Sequence, residues 1–481
     1  NPGYSAFKRA QSSRRPVVYV GANDGMLHAF NGSVGNTGSG SELFAYIPSF
    51  VYGNSSTYST NGLAALGNPG YGHRFFVDGP STEVHAYINS GWKSVVLGTM
   101  GSGGKGLFAI DATIPINLQS TTAAASQVMW EVNGANPDMG YLYGEVEAGP
   151  AKINGATRWV ALVGNGSYSD NNKAKLLVID MSNGNVLKSI DTNVGTATAP
   201  NGLGTVRAIY NAAGLMVAAY AGDMQGNVWR FDLHDNSVAN WRVAFNGSPL
   251  FKATDASSVA QPITAAPSIV SHPRGGNLII VSTGKLIDEA DRPGVSTAAS
   301  QVQTIYGLWD KKFASQPATD NTTIITNKSP LVQQIINTTP ASTTADGRAF
   351  YNISTTLPNW ATQRGWYLNM TLGTGQRVIY PAQVYQGLVL IGSVVPTTST
   401  SCGTANAFNF LLDALTGNTN KTVLLDTNGD GVLDNKDSAN AGAYSTDNDG
   451  SDRIVVKQRQ NDCSAPGSCG GAVRQRARGC M

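Results

Sequence analysis

Apolar and polar positions along this chain fall into a repeating unit: a β-branched apolar run, a glycine-centred turn, a second apolar run, then Asp or Asn and a further turn. The first copy is Val17-Val18-Tyr19-Val20-Gly21, a turn at Asn23-Asp24-Gly25, and residues 26–32. Val95-Val96-Leu97-Gly98 leads in the same way to Gly106-Leu107-Phe108-Ala109-Ile110-Asp111, and residues 160–166 lead to Leu176-Leu177-Val178-Ile179-Asp180. A fourth copy joins residues 217–222 to Val228-Trp229-Arg230-Phe231-Asp232. A fifth pairs residues 278–281 with 305–310, and a sixth pairs 388–392 with 408–413. Turns such as Asn-Asp-Gly between apolar runs signal hairpins, because Gly, Asn and Asp readily take the positive φ that tight primed turns require.

Apolar residues at i, i+3, i+4 and i+7 are almost absent, so helices are expected to be few and the fold all-β and antiparallel. Six equivalent hairpins suit a β-propeller, whose radial sheets leave only short edges, better than a pair of β-sandwiches. Wide spacing is expected to reflect insertions, notably at residues 35–60 and 293–304.

Composition narrows the class. Gly is 55 of 481 residues, above the usual share of roughly 7%, and charged residues are 13% against a usual figure of about 25%. Lys plus Arg number 33 and Asp plus Glu 31, and no long basic run carries interleaved aromatics, so nucleic acid is not an expected partner. Arg474, Arg476 and Arg478 read as a solvated tail. No run of about 18 apolar residues is present, so no membrane-spanning helix is expected. The first residue is Asn1 rather than Met, as expected of a fragment or processed product whose targeting region lies upstream. Cys402, Cys463, Cys469 and Cys480 include no C-x-x-C pair and suit an extracytoplasmic protein with one or two disulfides.

One segment carries chemistry. In residues 426–437, oxygen donors stand at positions 1, 3, 5, 9 and 12, with glycine at position 6. Calcium takes six to eight hard oxygen ligands, and a tight loop can supply them from alternating side chains. The expected ligands are the side chains of Asp426, Asn428, Asp430 and Asp434, the Val432 carbonyl, and Asp437 as the last. Position 12 is usually Glu; Asp437 is shorter, and Asp434 completes the shell if Asp437 does not reach. Residues 422–425 read as a strand and 438–445 as non-helical, so this is an EF-hand-like calcium loop without flanking helices. It is expected to order a blade loop rather than to open a groove between helices. A second acidic cluster, residues 447–452, lacks that spacing and reads as a capped turn.

Other chemistries fit less well. Residues 101–106 lack the phosphate-loop offset and the Ser or Thr after Lys105, and residues 164–167 lack the glycine of a nucleophile elbow. The five histidines, His28, His73, His85, His234 and His272, are scattered singly. The enzymatic alternative is a quinoprotein-type calcium-dependent dehydrogenase propeller. Enzymes of that type commonly use adjacent cysteines, which this chain lacks.

Residues 19–30, 222–232 and Ser282-Thr283-Gly284-Lys285 resemble the C-terminal propeller of the PilC/PilY family of type IV pilus proteins. Met139-Gly140-Tyr141, Arg158-Trp159-Val160-Ala161, Gly365-Trp366-Tyr367-Leu368 and the Asp-rich loop continue the likeness, in order, over residues 16–437. The resemblance implies a modified seven-bladed propeller, with the seventh blade lying between residues 309 and 387 or closed by both termini, and a calcium site at the matching loop. It also implies a non-enzymatic role at the cell surface, the pilus tip and the outer membrane of a Gram-negative bacterium. The implied partners are pilin or minor pilins and a host-cell or abiotic surface. The implied processes are pilus biogenesis (extension against retraction), twitching motility and adhesion. Residues 470–481 depart from the family's usual ending, and the family's N-terminal half is outside this sequence. The expected organisation is a propeller over residues 16–462 and a Cys- and Arg-containing tail over 463–481.

Overall fold

A computed structural model describes residues 3–35, 38–53, 62–114, 125–314, 316–319, 321–396 and 406–446. The four cysteines, the acidic cluster at 447–452 and the tail at 463–481 lie outside the described residues.

Each hairpin read from the sequence forms. Val17–Gly21 pairs antiparallel with Leu27–Asn31, Gly91–Thr99 with Gly106–Asp111, and Ala156–Gly164 with Lys175–Asp180. Met216–Asp223 pairs with Asn227–Asp232, Asn277–Ser282 neighbours Thr304–Asp310, and Leu388–Val395 pairs with Asn406–Asp413. The recurring Asp or Asn after the second strand has a local task. Asn31, Asp111, Asp180, Asp310 and Asp413 each accept the backbone N–H two residues on, at 3.1, 3.0, 2.8, 2.9 and 3.0 Å respectively. The side chain thus mimics a turn carbonyl and ends the strand. Asp232 departs from this pattern, taking Arg230 Nε at 3.1 Å and the Ala318 N–H at 2.8 Å.

The chain forms two compact units. The first comprises residues 1–267, 273–277 and 310–327; the second comprises 268–272, 278–309 and the described residues from 328 onward. In the first unit, Val17–Gly21, Leu27–Asn31 and Glu42–Tyr46 make a three-stranded sheet, and Ser81–Ile88, Gly91–Thr99, Gly106–Asp111 and Val128–Asn133 make a four-stranded one. Glu42–Tyr46 lies in the segment expected to be an insertion. It is a strand because Phe44 turns inward, its ring 6.1 Å from that of Tyr19. A nine-stranded sheet joins two meanders, one from Glu147–Ile153 to Val186–Asp191 and one starting at Leu203–Tyr210, through the parallel pair Met216↔Ala151. Leu162, Leu176, Val178, Ala219, Trp229, Phe231 and Trp241 pack as its core.

In the second unit, a five-stranded sheet runs Ser268–Ser271, Asn277–Ser282, Thr304–Asp310, Gly365–Asn369, Leu331–Gln334. A six-stranded sheet runs Ser342–Thr343, Ala349–Asn352, Ala441–Thr446, Asn406–Asp413, Leu388–Val395, Gln383–Tyr385. The strands between residues 309 and 387 therefore complete these two sheets and build no further sheet of their own among the described residues.

Two tryptophans dock on glycine turns, a feature the sequence reading missed. Trp130 Nε1 donates to the Met181 carbonyl at 2.9 Å, and Trp366 Nε1 to the Ala414 carbonyl at 2.9 Å. Their rings lie against Gly184 and Gly417, whose φ values are +76° and +69°. Both glycines stand four residues after a turn-forming Asp, at Asp180 and Asp413. Among the described residues the α-helical segment is Tyr4–Ala10, and no helix is long and apolar enough to cross a membrane.

Candidate metal centre

Residues 426–437 lie in the connection between Asn406–Asp413 and Ala441–Thr446, which are adjacent antiparallel strands of the second unit. Residues 422–425 do not form the expected strand. The flanks of Asn406–Asp413 are already taken by Leu388–Val395 and Ala441–Thr446, so no sheet edge is available to them there. Regular structure instead resumes after the loop, at Ala441–Thr446.

The loop is a succession of side-chain-closed turns. Asp426 accepts the Gly429 N–H on Oδ1 at 2.7 Å and the Gly431 N–H on Oδ2 at 2.8 Å. Asn428 Oδ1 accepts the Asp430 N–H at 2.8 Å, Asp430 Oδ1 the Val432 N–H at 2.9 Å, and Asp434 Oδ1 the Lys436 N–H at 2.8 Å. Gly429 and Gly431 hold φ of +78° and +83°, the region L side chains avoid, which lets the chain reverse between the acidic residues. Asn428, Asp430 and Val432 are exposed, while Asp426 and Asp434 are half-buried.

Asp437 behaves differently. Only 6% of it is exposed. Its Oδ1 takes the Thr427 N–H at 2.7 Å, the Thr427 hydroxyl at 3.2 Å and the Asn428 N–H at 3.2 Å, and its Oδ2 takes the Asp434 N–H at 3.1 Å. Burial raises its pKa, but these donors outweigh burial and hold the carboxyl below its usual range. The structure thus brings Asp437 to the base of the loop, where it joins positions 2, 3 and 9 of the twelve, with Asp426, Asn428, Asp430 and Asp434 along the rim. Among the described residues, no three His, Cys, Asp or Glu side chains converge on one point. The donor set is nonetheless all hard oxygen, without nitrogen or sulfur ligands, and that chemistry fits calcium.

Two other polar groupings were not legible from the sequence. His28 bridges two carboxylates, with Nδ1 2.6 Å from Glu42 and Nε2 2.9 Å from Asp24. The hydrogen bond with Glu42 raises its pKa most; burial works against this and Asp24 adds to it. In the interior of the first unit, Arg230 donates to Asp310 at 3.0 Å, to Asp232 at 3.1 Å and to the carbonyls of Lys312, Phe313 and Gln316. Tyr220 donates to the same Asp310 oxygen at 2.6 Å. Tyr220, Arg230, Asp232 and Asp310 are buried structural partners. The glycine-rich segment at 101–106 forms the turn between Gly91–Thr99 and Gly106–Asp111, where the Ser102 N–H meets Asp78 at 3.3 Å.

Sheets of this kind define an all-β propeller, and comparison with known proteins agrees. Residues 1–348 match the family described as the PilY1 beta-propeller domain. The crystal structure of the Pseudomonas aeruginosa PilY1 C-terminal domain superposes with a TM-score of 0.74 at 34% identity, covering 92% of this chain and 89% of that one. The chain belongs to the PilY1 β-propeller family, as the resemblance read from its motifs anticipated. The type IV pilus biogenesis factor PilY1 of P. aeruginosa strain PAO1 is 35% identical over 462 residues, which is 90% of this chain and 37% of that protein. A PilY1 homolog of Xylella fastidiosa is 32% identical over 437 residues, 86% of this chain and 27% of that protein. The chain therefore spans well under half the length of these relatives.

Proposed function

We propose that this chain is the calcium-binding propeller of a non-enzymatic type IV pilus-associated protein. It acts in pilus biogenesis by tuning extension against retraction, and so in twitching motility and in adhesion to host cells or other surfaces. The observation that carries this reading is the coincidence, in one chain, of the oxygen-rich loop with relatives named type IV pilus biogenesis factors. The protein would work at the cell surface, at the pilus tip or outer membrane of a Gram-negative cell, against pilin or minor pilins. On the same reading the propeller occupies residues 16–462 and counts seven blades, with residues 463–481 as a separate tail.

Within the loop, Asp426, Asn428, Asp430 and Asp434 side chains and the Val432 carbonyl would hold calcium, which supplies the charge that draws their oxygens together. Asp437 keeps the frame: its oxygens are engaged by the loop's own donors, so Asp434 completes the ligand set in its place. The exposed Asn428 and Asp430 oxygens each accept one turn N–H, at 2.8 and 2.9 Å, while the base of the loop is buried. Replacing Asp430 by Ala in a pilus-bearing strain is expected to impair twitching while the protein is still made. Unaltered twitching would overturn the regulatory part, and normal pilus counts with lost surface attachment would reassign the module to adhesion alone.

A further inference from the structure

The hairpin Ser342–Thr343 and Ala349–Asn352 forms the edge of the six-stranded sheet, and its backbone pairing is short. Its outer strand has two residues, and its inner strand pairs with Ala441–Thr446 at only Phe350, Tyr351 and Asn352, with a register shift between the last two. Edge elements with few ladder bonds open at low free-energy cost.

Outside the ladder, the Ala349 N–H donates to Ser445 Oγ at 2.9 Å, the Asn337 N–H donates to the Asn352 carbonyl at 2.9 Å, and the Phe350 and Tyr351 rings pack on Tyr444 and Phe408; further ties come from the acidic loop and the residue after it. Ser342 Oγ donates to the Thr427 carbonyl at 2.8 Å, and Ser438 Oγ to Asn352 Oδ1 at 2.8 Å. Gly429 lies against Thr344 in the hairpin turn, where an added Cβ would stand 3.0 Å from the Thr344 methyl. These ties converge on one relay. Thr427 gives both its N–H and its hydroxyl to Asp437, and its Oγ accepts the Ser438 N–H at 3.0 Å. Thr427 is itself only 4% exposed. Displacement of Thr427 therefore carries both hydroxyl ties with it.

Resting on the calcium reading, we propose that this edge hairpin is the element the loop controls: calcium in the loop fixes residues 342–352 on the sheet, and its removal releases them. An ion that binds only the closed loop shifts the opening equilibrium by the factor 1 + [L]/Kd, which is about 100 at a calcium concentration 100 times Kd.

Hydrogen exchange of the full chain in calcium chloride and in EGTA tests this. Amides of residues 342–352 are expected to exchange up to about 100-fold more slowly with calcium at 100 times Kd, while those of Ser81–Ile88 in the first unit do not respond. The double variant Ser342→Ala, Ser438→Ala is expected to retain calcium binding by titration calorimetry and to lose most of the hairpin response. Calcium binding by the wild type with unchanged exchange at 342–352 would overturn the coupling and leave the calcium site standing. A full response in the double variant would overturn the assigned ties. Absence of binding heat in the wild type would overturn both the coupling and the calcium reading.

Discussion

Substituting Gly417 by Ala separates backbone strain from ring packing at the Trp366 dock. Gly417 has φ +69°, and its added Cβ would fall 2.2 Å from Trp366 Cδ2. The ring cannot yield cheaply, since Trp366 is fully buried and its Nε1 is held by the Ala414 carbonyl at 2.9 Å. Placing an L residue in the left-handed region costs about 1–2 kcal/mol, and forcing extra volume into a packed core adds about 1–3 kcal/mol. Gly387, in the same unit, supplies the control, with φ +82° and nothing within 4 Å of the point where a Cβ would stand. Gly387→Ala should therefore show the backbone cost of about 1–2 kcal/mol alone. Hydrogen exchange of the Asn406–Asp413 amides reads the local opening free energy without requiring two-state unfolding of the whole chain. At tenfold per 1.4 kcal/mol, Gly417→Ala should accelerate exchange by roughly 30-fold or more. Combined with Trp366→Leu, the additional cost of Gly417→Ala should fall to the backbone contribution, as a coupled pair requires. Equal effects of Gly417→Ala and Gly387→Ala would refute the docking argument.

Two further outcomes are expected. Arg230→Met should destabilise the protein by about 3–5 kcal/mol, because Asp310 and Asp232 would remain buried without their cation; a calorimetric Tm close to wild type would contradict this. The His28 bridge has a pH signature: with its folded pKa raised above the ordinary histidine value of 6.5, its stabilisation is full below about pH 6.5 and is lost as pH rises through the folded value. His28→Gln should abolish that dependence in urea titrations run at several pH values, and an unchanged profile would remove His28 as its source.

The hairpins were legible because their signals are local: β-branched runs and Asn-Asp-Gly turns need no distant partner to be recognised. Asp111, Asp180 and Asp413 were visible as repeats, and the structure supplies the reason in their N–H contacts two residues on. Glu42–Tyr46 and residues 422–425 were misassigned for one reason. Whether a short apolar segment becomes a strand depends on a free sheet edge, and edges are set by residues far away in sequence. The role of Gly184 and Gly417 as floors for Trp130 and Trp366 was not legible, because it joins residues 54 and 51 positions apart, respectively. The acidic loop was legible as a spacing; the inward placement of Asp437 was not, because it depends on Thr427 and on the strand that follows.

Titration calorimetry of calcium into the full chain, wild type beside Asp430→Ala, tests the central claim most directly. One ion bound per chain with oxygen-ligand selectivity for calcium over zinc, lost in Asp430→Ala with the fold retained by circular dichroism, is the predicted result. Equal binding by the two proteins, or none by the wild type, would contradict it.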